Sequence, residues 1–182
     1  MQTAPGLPRT WASWRDEFPI FQRKTYYNTC SLGALSRRTA HAVNSFLELW
    51  DASGAAAWYG PWLAEIERLR ATVARLIGAD TDEIAIFPSI TSALGAVSSA
   101  LDFRSRPRVV ISEREFPTTV YQWSVKAPEG VQLELLRSPD ALTVRVDAYR
   151  EAVDGHTALA VASHVYFTSG VIQDVAALAE VA

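Results

Sequence analysis

Apolar positions along this chain fall into two alternating patterns. Some stretches repeat them every three or four residues, as an amphipathic helix does; others are short, nearly continuous runs, as in a buried strand. After a loop and a short helix following Thr10, "TYYNTCSLGALS" (Thr25 to Ser36) reads as a short strand and a Gly-containing loop. Ser36 is placed to cap a helix that puts Val43, Phe46, Leu47 and Trp50 on one face, and Ser53-Gly54 ends it. Gly60-Pro61 opens the next helix, with Pro at its first position. There Trp62, Ile66, Leu69, Val73 and Leu76 recur at helical spacing until Gly78. "EIAIFPS" then reads as a strand, followed by a helix from Thr91 to Leu101.

The second half continues the alternation. "PRVVISE" (Pro107 to Glu113) is a β-branched strand, and "FPTTVYQWSV" a helix with Pro117 in its first turn. "VQLELLRS" (Val131 to Ser138) is a strand, "VDAYREAV" (Val146 to Val153) a short helix, and "ALAVASHV" (Ala158 to Val165) an apolar strand suited to burial on both faces. "DVAALAEVA" opens another helix. This succession predicts an α/β fold, a mostly parallel sheet with helices on both faces. Ending in the first turns of a helix, the chain reads as the front part of a longer, truncated domain.

Composition narrows the class. The 182 residues are 49% hydrophobic, which supports a real core and argues against disorder. A formal charge of −3 with no basic run gives no reason to expect nucleic acid. No apolar run spans a bilayer, and "MQTAPGLPRTWASW" lacks the layout of a signal peptide. Cys30 is the only cysteine, so no intramolecular disulfide forms and a reducing cytoplasm is the expected setting. His41 and His156 have no partner at metal-ligand spacing, so no metal is expected.

Candidate chemistry collects where strands hand over to helices, at the sheet's carboxyl edge, the usual ligand edge of such folds. "IFPSITSALGAV" sets the hydroxyls of Ser89, Thr91 and Ser92 at one such switch. They are either a cap and its first turn or donors to a phosphate at the helix N-terminus. No G-x-x-x-x-G-K-[ST] or G-x-G-x-x-G motif is present, so neither a nucleoside triphosphate nor a dinucleotide is the natural ligand. "SEREFPTTVYQW" (Ser112 to Trp123) brings Phe116 to the same edge, as a stacking platform for a flat ring or as a hydrophobic staple. "ASHVYFTSGVIQDV" (Ala162 to Val175) adds His164, in a structural or a functional role. Together these loops describe a pocket for an aromatic phosphate. The turn Trp58-Tyr59-Gly60-Pro61-Trp62 suits a substrate entrance, a dimer interface or core packing. Glu151 and Asp154 read as solvated charges at a helix end.

The ordered set "YYNTCSLGALS", "DEIAIFPSITSAL", "SEREFPTTVYQW" and "SHVYFTSGVIQDVAALAEVA" resembles the class V aminotransferase superfamily. These are pyridoxal-phosphate enzymes of fold type I, including kynureninases, cysteine desulfurases and isopenicillin-epimerase-like proteins. The resemblance implies that Ile90-Thr91, with Ser89 and Ser92, holds the cofactor phosphate, that Phe116 stacks on the pyridine ring, and that His164 lies on the cofactor side. It implies that Tyr27 to Gly33, with Asn28, Ser31 and Gly33, approaches the substrate. Residues 1–35 would be an arm and active-site loop, and residues 36–182 the first part of the large domain. An amino-acid substrate, chemistry at its α-carbon and a homodimer follow from the same resemblance.

The departures are informative. The family's Asp at the ring nitrogen and its Schiff-base lysine would fall beyond Ala182, and neither Lys24 nor Lys126 has that lysine's context. The resemblance therefore assigns no catalytic residue within the chain and implies that it is inactive alone. Desulfurases usually carry His where Phe116 stands and Asn where Tyr166-Phe167 stands, and Cys30 is far from the position of a persulfide cysteine. Desulfurase chemistry is thus disfavoured against aminotransferase, lyase or kynureninase-like hydrolase chemistry. The alternatives are a non-catalytic module keeping the fold's first half, or another phosphate-ligand binder on a doubly wound sheet.

Overall fold

The computed structural model describes residues 11–182, which divide into two units, one ending at Ile86 and the other beginning at Phe87. The first unit is helical. Helix α1 (Trp11–Trp14) leads into single 3-10 turns at Arg15–Glu17 and Pro19–Gln22. Helix α2 (Arg37–Ser53) starts where Ser36 Oγ accepts the Thr39 N–H at 2.9 Å. Its entry is fixed by Glu17, which accepts the Arg38 N–H at 2.9 Å, and by Arg37 Nε, which donates to the Asp16 carbonyl at 2.8 Å. Helix α3 (Pro61–Ile77) begins on Pro61 and ends at Gly78, whose φ of 73° is the left-handed geometry that glycine adopts without a Cβ clash. The two helices meet through Phe46 and Trp62, stacked at 4.8 Å, with Trp58 edge-on to Trp62 at 5.0 Å. Within the aromatic turn, Trp62 thus contacts both Trp58 and α2 while Tyr59 is exposed, and Val43, Leu47 and Trp50 on the predicted face of α2 remain 51–56% exposed.

The second unit carries the sheet. Its elements are α4 (Ile90–Ala100), β1 (Arg108–Ser112), α5 (Pro117–Ser124), β2 (Gln132–Leu136), α6 (Val146–Ala152), β3 (Thr157–Val161) and α7 (Val175–Val181). The strands lie in the order β2-β1-β3, all parallel, with Val110 opposite Glu134 on one side and Ala160 on the other. Side chains alternate across central β1. Val109 and Ile111 face a cluster with Phe103, Trp123 and Val131, backed by Leu94 of α4 and Val120 of α5. Val110 faces the other way, against Leu136, Val144, Tyr149 and Ala152, backed by Leu178 and Val181 of α7. Helices therefore cover both faces, as the alternation requires. The three β1 side chains are wholly buried, each worth about 1.5–3 kcal/mol over an exposed position.

Two predicted strands are absent. Thr25 to Ser36 is a loop, turned by the N–H groups of Ser31 and Leu32 on the Asn28 carbonyl. The segment "EIAIFPS" has extended backbone at Ile84 (φ −101°, ψ 114°) but no ladder, and Ile86 and Phe87 are exposed. A strand is defined by its neighbour, and no strand pairs with either segment among the described residues. The expected strand at Ala158 to Val165 begins at Thr157 and stops at Val161, and only Thr157 in it is buried, because β3 lies at the sheet's edge. Beyond it the chain folds on itself through an antiparallel Val165–Ile172 bridge and a turn at Gly170 (φ 70°).

Candidate functional site

Three loops leave the carboxyl ends of the three strands, and two glutamates tie them together. At the end of β1 the Ser112 hydroxyl accepts the Arg114 N–H at 2.9 Å and the Ser112 carbonyl accepts the Glu115 N–H at 3.2 Å. This turn brings the chain straight back into α5, with Pro117 as its first residue. Glu113 reaches toward β2, where its carboxylate accepts the Ser138 N–H and an Arg137 guanidinium N–H, both at 2.8 Å. The Ser138 amide, then Arg137, hold the Glu113 carboxyl below its ordinary pKa. Glu115 reaches toward β3. Its two oxygens accept the N–H and the hydroxyl of Ser163, each at 2.6 Å, and Glu115 is 5% exposed.

These ties set the neighbours of the two glutamates. Phe116 follows Glu115 and is half exposed, with its ring edge-on to Phe167 at 5.0 Å and 68°. His164 follows Ser163 and is exposed; its carbonyl accepts the Gln173 N–H at 2.7 Å. Beneath them Tyr149 and Tyr166 are buried, and burial pushes both phenols above their ordinary range. Tyr149 donates to the Val161 carbonyl at 2.9 Å. In the β2 loop Asp140 accepts the N–H groups of Thr143 and Leu142 and the hydroxyls of Thr143 and Ser138, which hold its carboxyl well below the usual range.

Helix α4 carries the other candidate residues of this unit. Ser89 is its extended N-cap, and Ser89 Oγ accepts the Ser92 N–H at 3.2 Å, while the Ser89 carbonyl accepts the Ala93 N–H at 3.1 Å. The Ser89 and Ser92 hydroxyls are 3.0 Å apart. The N–H groups of Ile90 and Thr91 have no partner among the described residues, and Ser89 through Ser92 are all exposed. A helix of this length presents a partial positive charge at that end. Two free donors, a free Thr91 hydroxyl and the helix end fit the demands of a bound phosphate. Helix α4 packs beside α5, and Gln122 Nε2 donates to Ser98 Oγ at 3.1 Å, joining the last turns of the two helices.

Of the residues singled out in the sequence, Ser89, Ile90, Thr91, Ser92, Phe116 and His164 lie in the second unit: Ser89 to Ser92 at a loop-to-helix start, Phe116 between β1 and α5, and His164 on the loop after β3. Asn28, Ser31 and Gly33 lie in the first unit, exposed on the loop that turns on the Asn28 carbonyl, and Cys30 Sγ sits 3.5 Å from Asn28 Oδ1. Sequence reasoning missed Glu113, Glu115 and Ser163. The one available signal was a pair of carboxylates two residues apart directly after a strand.

The family model for Aminotransferase class-V matches residues 38–182. The chain belongs to that family. Class V aminotransferases are pyridoxal-phosphate enzymes. Similar curated proteins include the uncharacterized aminotransferase YcbU of Bacillus subtilis (strain 168), 29% identical over 92% of this chain and 44% of its own length. A kynureninase of Geobacillus thermodenitrificans (strain NG80-2) is 26% identical over 92% of this chain and 41% of its own length. Among solved structures, a C-DES mutant with glycine covalently linked to the PLP cofactor superposes with a TM-score of 0.80 at 21% identity, over 92% of this chain and 45% of that one. The apo cysteine desulfurase of Thermococcus onnurineus NA1 gives 0.78 at 18% identity, over 97% and 46%. These likenesses show the fold, the α/β major domain of fold type I. The chain spans less than half the length of the relatives it matches. No helix among the described residues is long and apolar enough to cross a membrane.

Proposed function

We propose that this chain is the cofactor-binding part of a pyridoxal-phosphate enzyme acting at the α-carbon of an amino acid. The observation that carries the reading is the exposed start of α4, where Ile90 and Thr91 keep unpaired N–H groups on the same unit as Phe116. Ile90 and Thr91 would hold the phosphate, with the hydroxyls of Ser89, Thr91 and Ser92 as further donors. Phe116 would cover one ring face, its own orientation limited by the edge of Phe167. His164, exposed on the loop after β3, would lie on the cofactor side. Asn28, Ser31 and Gly33 are assigned to the substrate side, and residues 1–35 to the arm that carries them. When bound, pyridoxal phosphate supplies a conjugated ring able to delocalise charge left at a substrate α-carbon.

The reaction classes that fit are transamination, lyase chemistry and kynureninase-like hydrolysis. Phe116 supports setting desulfurase chemistry below these, since its all-carbon ring cannot relay a proton. The imine-forming lysine is assigned to sequence after Ala182, and the working enzyme is read as a cytoplasmic homodimer. Binding of pyridoxal phosphate and of unphosphorylated pyridoxal, followed by quenching of tryptophan fluorescence, tests the reading. Pyridoxal phosphate should bind more tightly, and Thr91→Ala should weaken it by about 1–2 kcal/mol, the scale of a hydrogen bond to a charged group. Equal affinity for the two ligands would contradict a phosphate site at α4.

A further inference from the structure

We propose that Glu115 is a positioning residue that sets Phe116 and His164 relative to one another, an inference that rests on the cofactor reading above. Three observations carry it. First, Glu115 is buried although it is charged, and a buried carboxylate is costly unless it is paired or hydrogen-bonded. Second, both of its oxygens are committed to a single residue, Ser163, which lies 48 residues along the chain and on the loop after a different strand. Third, each end of this tie is directly followed by a residue of the candidate site, Phe116 after Glu115 and His164 after Ser163. The paired contact fixes direction as well as distance, because the N–H and the hydroxyl of Ser163 approach two different oxygens.

The tie has a mechanical consequence. Central β1 is anchored to β2 and β3 by ladders that end at Ser112, Leu136 and Val161. Beyond those residues the backbone adds one more bond toward β2, from the Glu113 N–H to the Leu136 carbonyl at 3.0 Å, and none toward β3 among the described residues. Glu113 provides the hold toward β2 and Glu115 the hold toward β3. The Phe116–Phe167 ring contact also joins the β1 and β3 loops at this edge, but it lies half exposed. A stacking ring that wanders loses the fixed geometry on which an oriented cofactor depends. Glu115 itself points to Ser163 and not to solvent, so it acts through its neighbours.

The test compares Glu115→Ala, Glu115→Gln and Ser163→Ala with the parent protein. Two quantities are read on each: the affinity for pyridoxal phosphate and the circular dichroism that the bound chromophore acquires. A glutamine can keep both contacts, its oxygen accepting the Ser163 N–H and its amide donating to the hydroxyl. Glu115→Ala should therefore weaken binding by about tenfold or more and reduce the induced dichroism, and Glu115→Gln should restore most of both. Ser163→Ala, which loses one of the two contacts, should fall between, and it keeps the test alive if Glu115→Ala does not fold. A merely structural glutamate would lower the melting temperature and leave the induced signal per bound cofactor unchanged; that result overturns the proposal. So does a Glu115→Gln protein as impaired as Glu115→Ala. A parent protein that binds no pyridoxal phosphate defeats the cofactor reading itself, an outcome separate from a parent that binds and variants that bind equally well.

Discussion

Gln122 donates from its side-chain amide to the hydroxyl of Ser98 at 3.1 Å, and Ser98 is 3% exposed. This polar contact links α5, the helix that begins one residue after Phe116, to α4, the helix proposed above to receive a phosphate at its N-terminus. Ser98 also donates to the Gly95 carbonyl at 3.0 Å, so its hydroxyl serves as acceptor and donor together. Removing either partner leaves the other without its mate in a largely dry setting. Ser98→Ala and Gln122→Ala should each destabilise the protein by about 1 kcal/mol, and the double variant should cost less than the sum. Denaturant unfolding of the four proteins in the cycle gives the coupling; strict additivity would mean that the bond contributes nothing of its own.

Phe116 and Trp123 sit seven positions apart and should respond in opposite ways. Trp123 is wholly buried among Phe103, Val109, Ile111 and Val131, so Trp123→Ala should cost about 3–5 kcal/mol of stability. Phe116 is 53% exposed, and Phe116→Ala should cost well under half of that while weakening pyridoxal phosphate binding. Thermal unfolding and a cofactor titration on both variants separate the two. A Phe116→Ala protein with unchanged affinity and a large loss of stability would make Phe116 a packing residue.

The pH response of Asp102 follows from its neighbour. Arg104 donates to both carboxylate oxygens through its side chain, at 2.9 and 3.0 Å, and through its backbone N–H at 3.1 Å, which lowers the Asp102 pKa to about 2. The folded value is below the ordinary one of about 3.9. The contribution of the pair is therefore complete above about pH 4 and is lost as pH falls through about 2. Both side chains are exposed, so the effect on total stability is small. Carboxyl NMR titration should give a midpoint near the low value in the parent and a higher one in Arg104→Ala, still below the ordinary value because the residue 104 N–H remains. Identical midpoints would show that Arg104 is not the cause.

Much of this was legible locally. The caps at Ser36, Ser89 and Asp174 and the stop at Gly78 depend on residues within one turn of each helix, and all four stand where the sequence places them or opens a helix. The β-branched strand at β1 and the helix that Pro117 opens at α5 were equally plain. What failed was non-local. "EIAIFPS" has strand composition, yet a strand also needs an adjacent strand, and that requirement leaves no mark on the segment itself. The exposed side of α2 at Val43 and Leu47 teaches the same lesson, since a helical period predicts a face but not what covers it. The partners of Glu113 and Glu115 were hidden for a similar reason, although the carboxylate pair itself was in view. A glutamate after a strand has no period, and its partners lie 25 and 48 residues away.

The central claim is that the first turn of α4 receives the phosphate of pyridoxal phosphate. Backbone amide NMR of the isotope-labelled protein during a titration with pyridoxal phosphate reads that turn directly. The account predicts that the Ile90 and Thr91 amides, which have no partner among the described residues, show large, saturable downfield shifts, and that pyridoxal without its phosphate moves them far less. Saturable binding in which Ile90 and Thr91 do not move, with the shifts collected elsewhere on the protein, would contradict it.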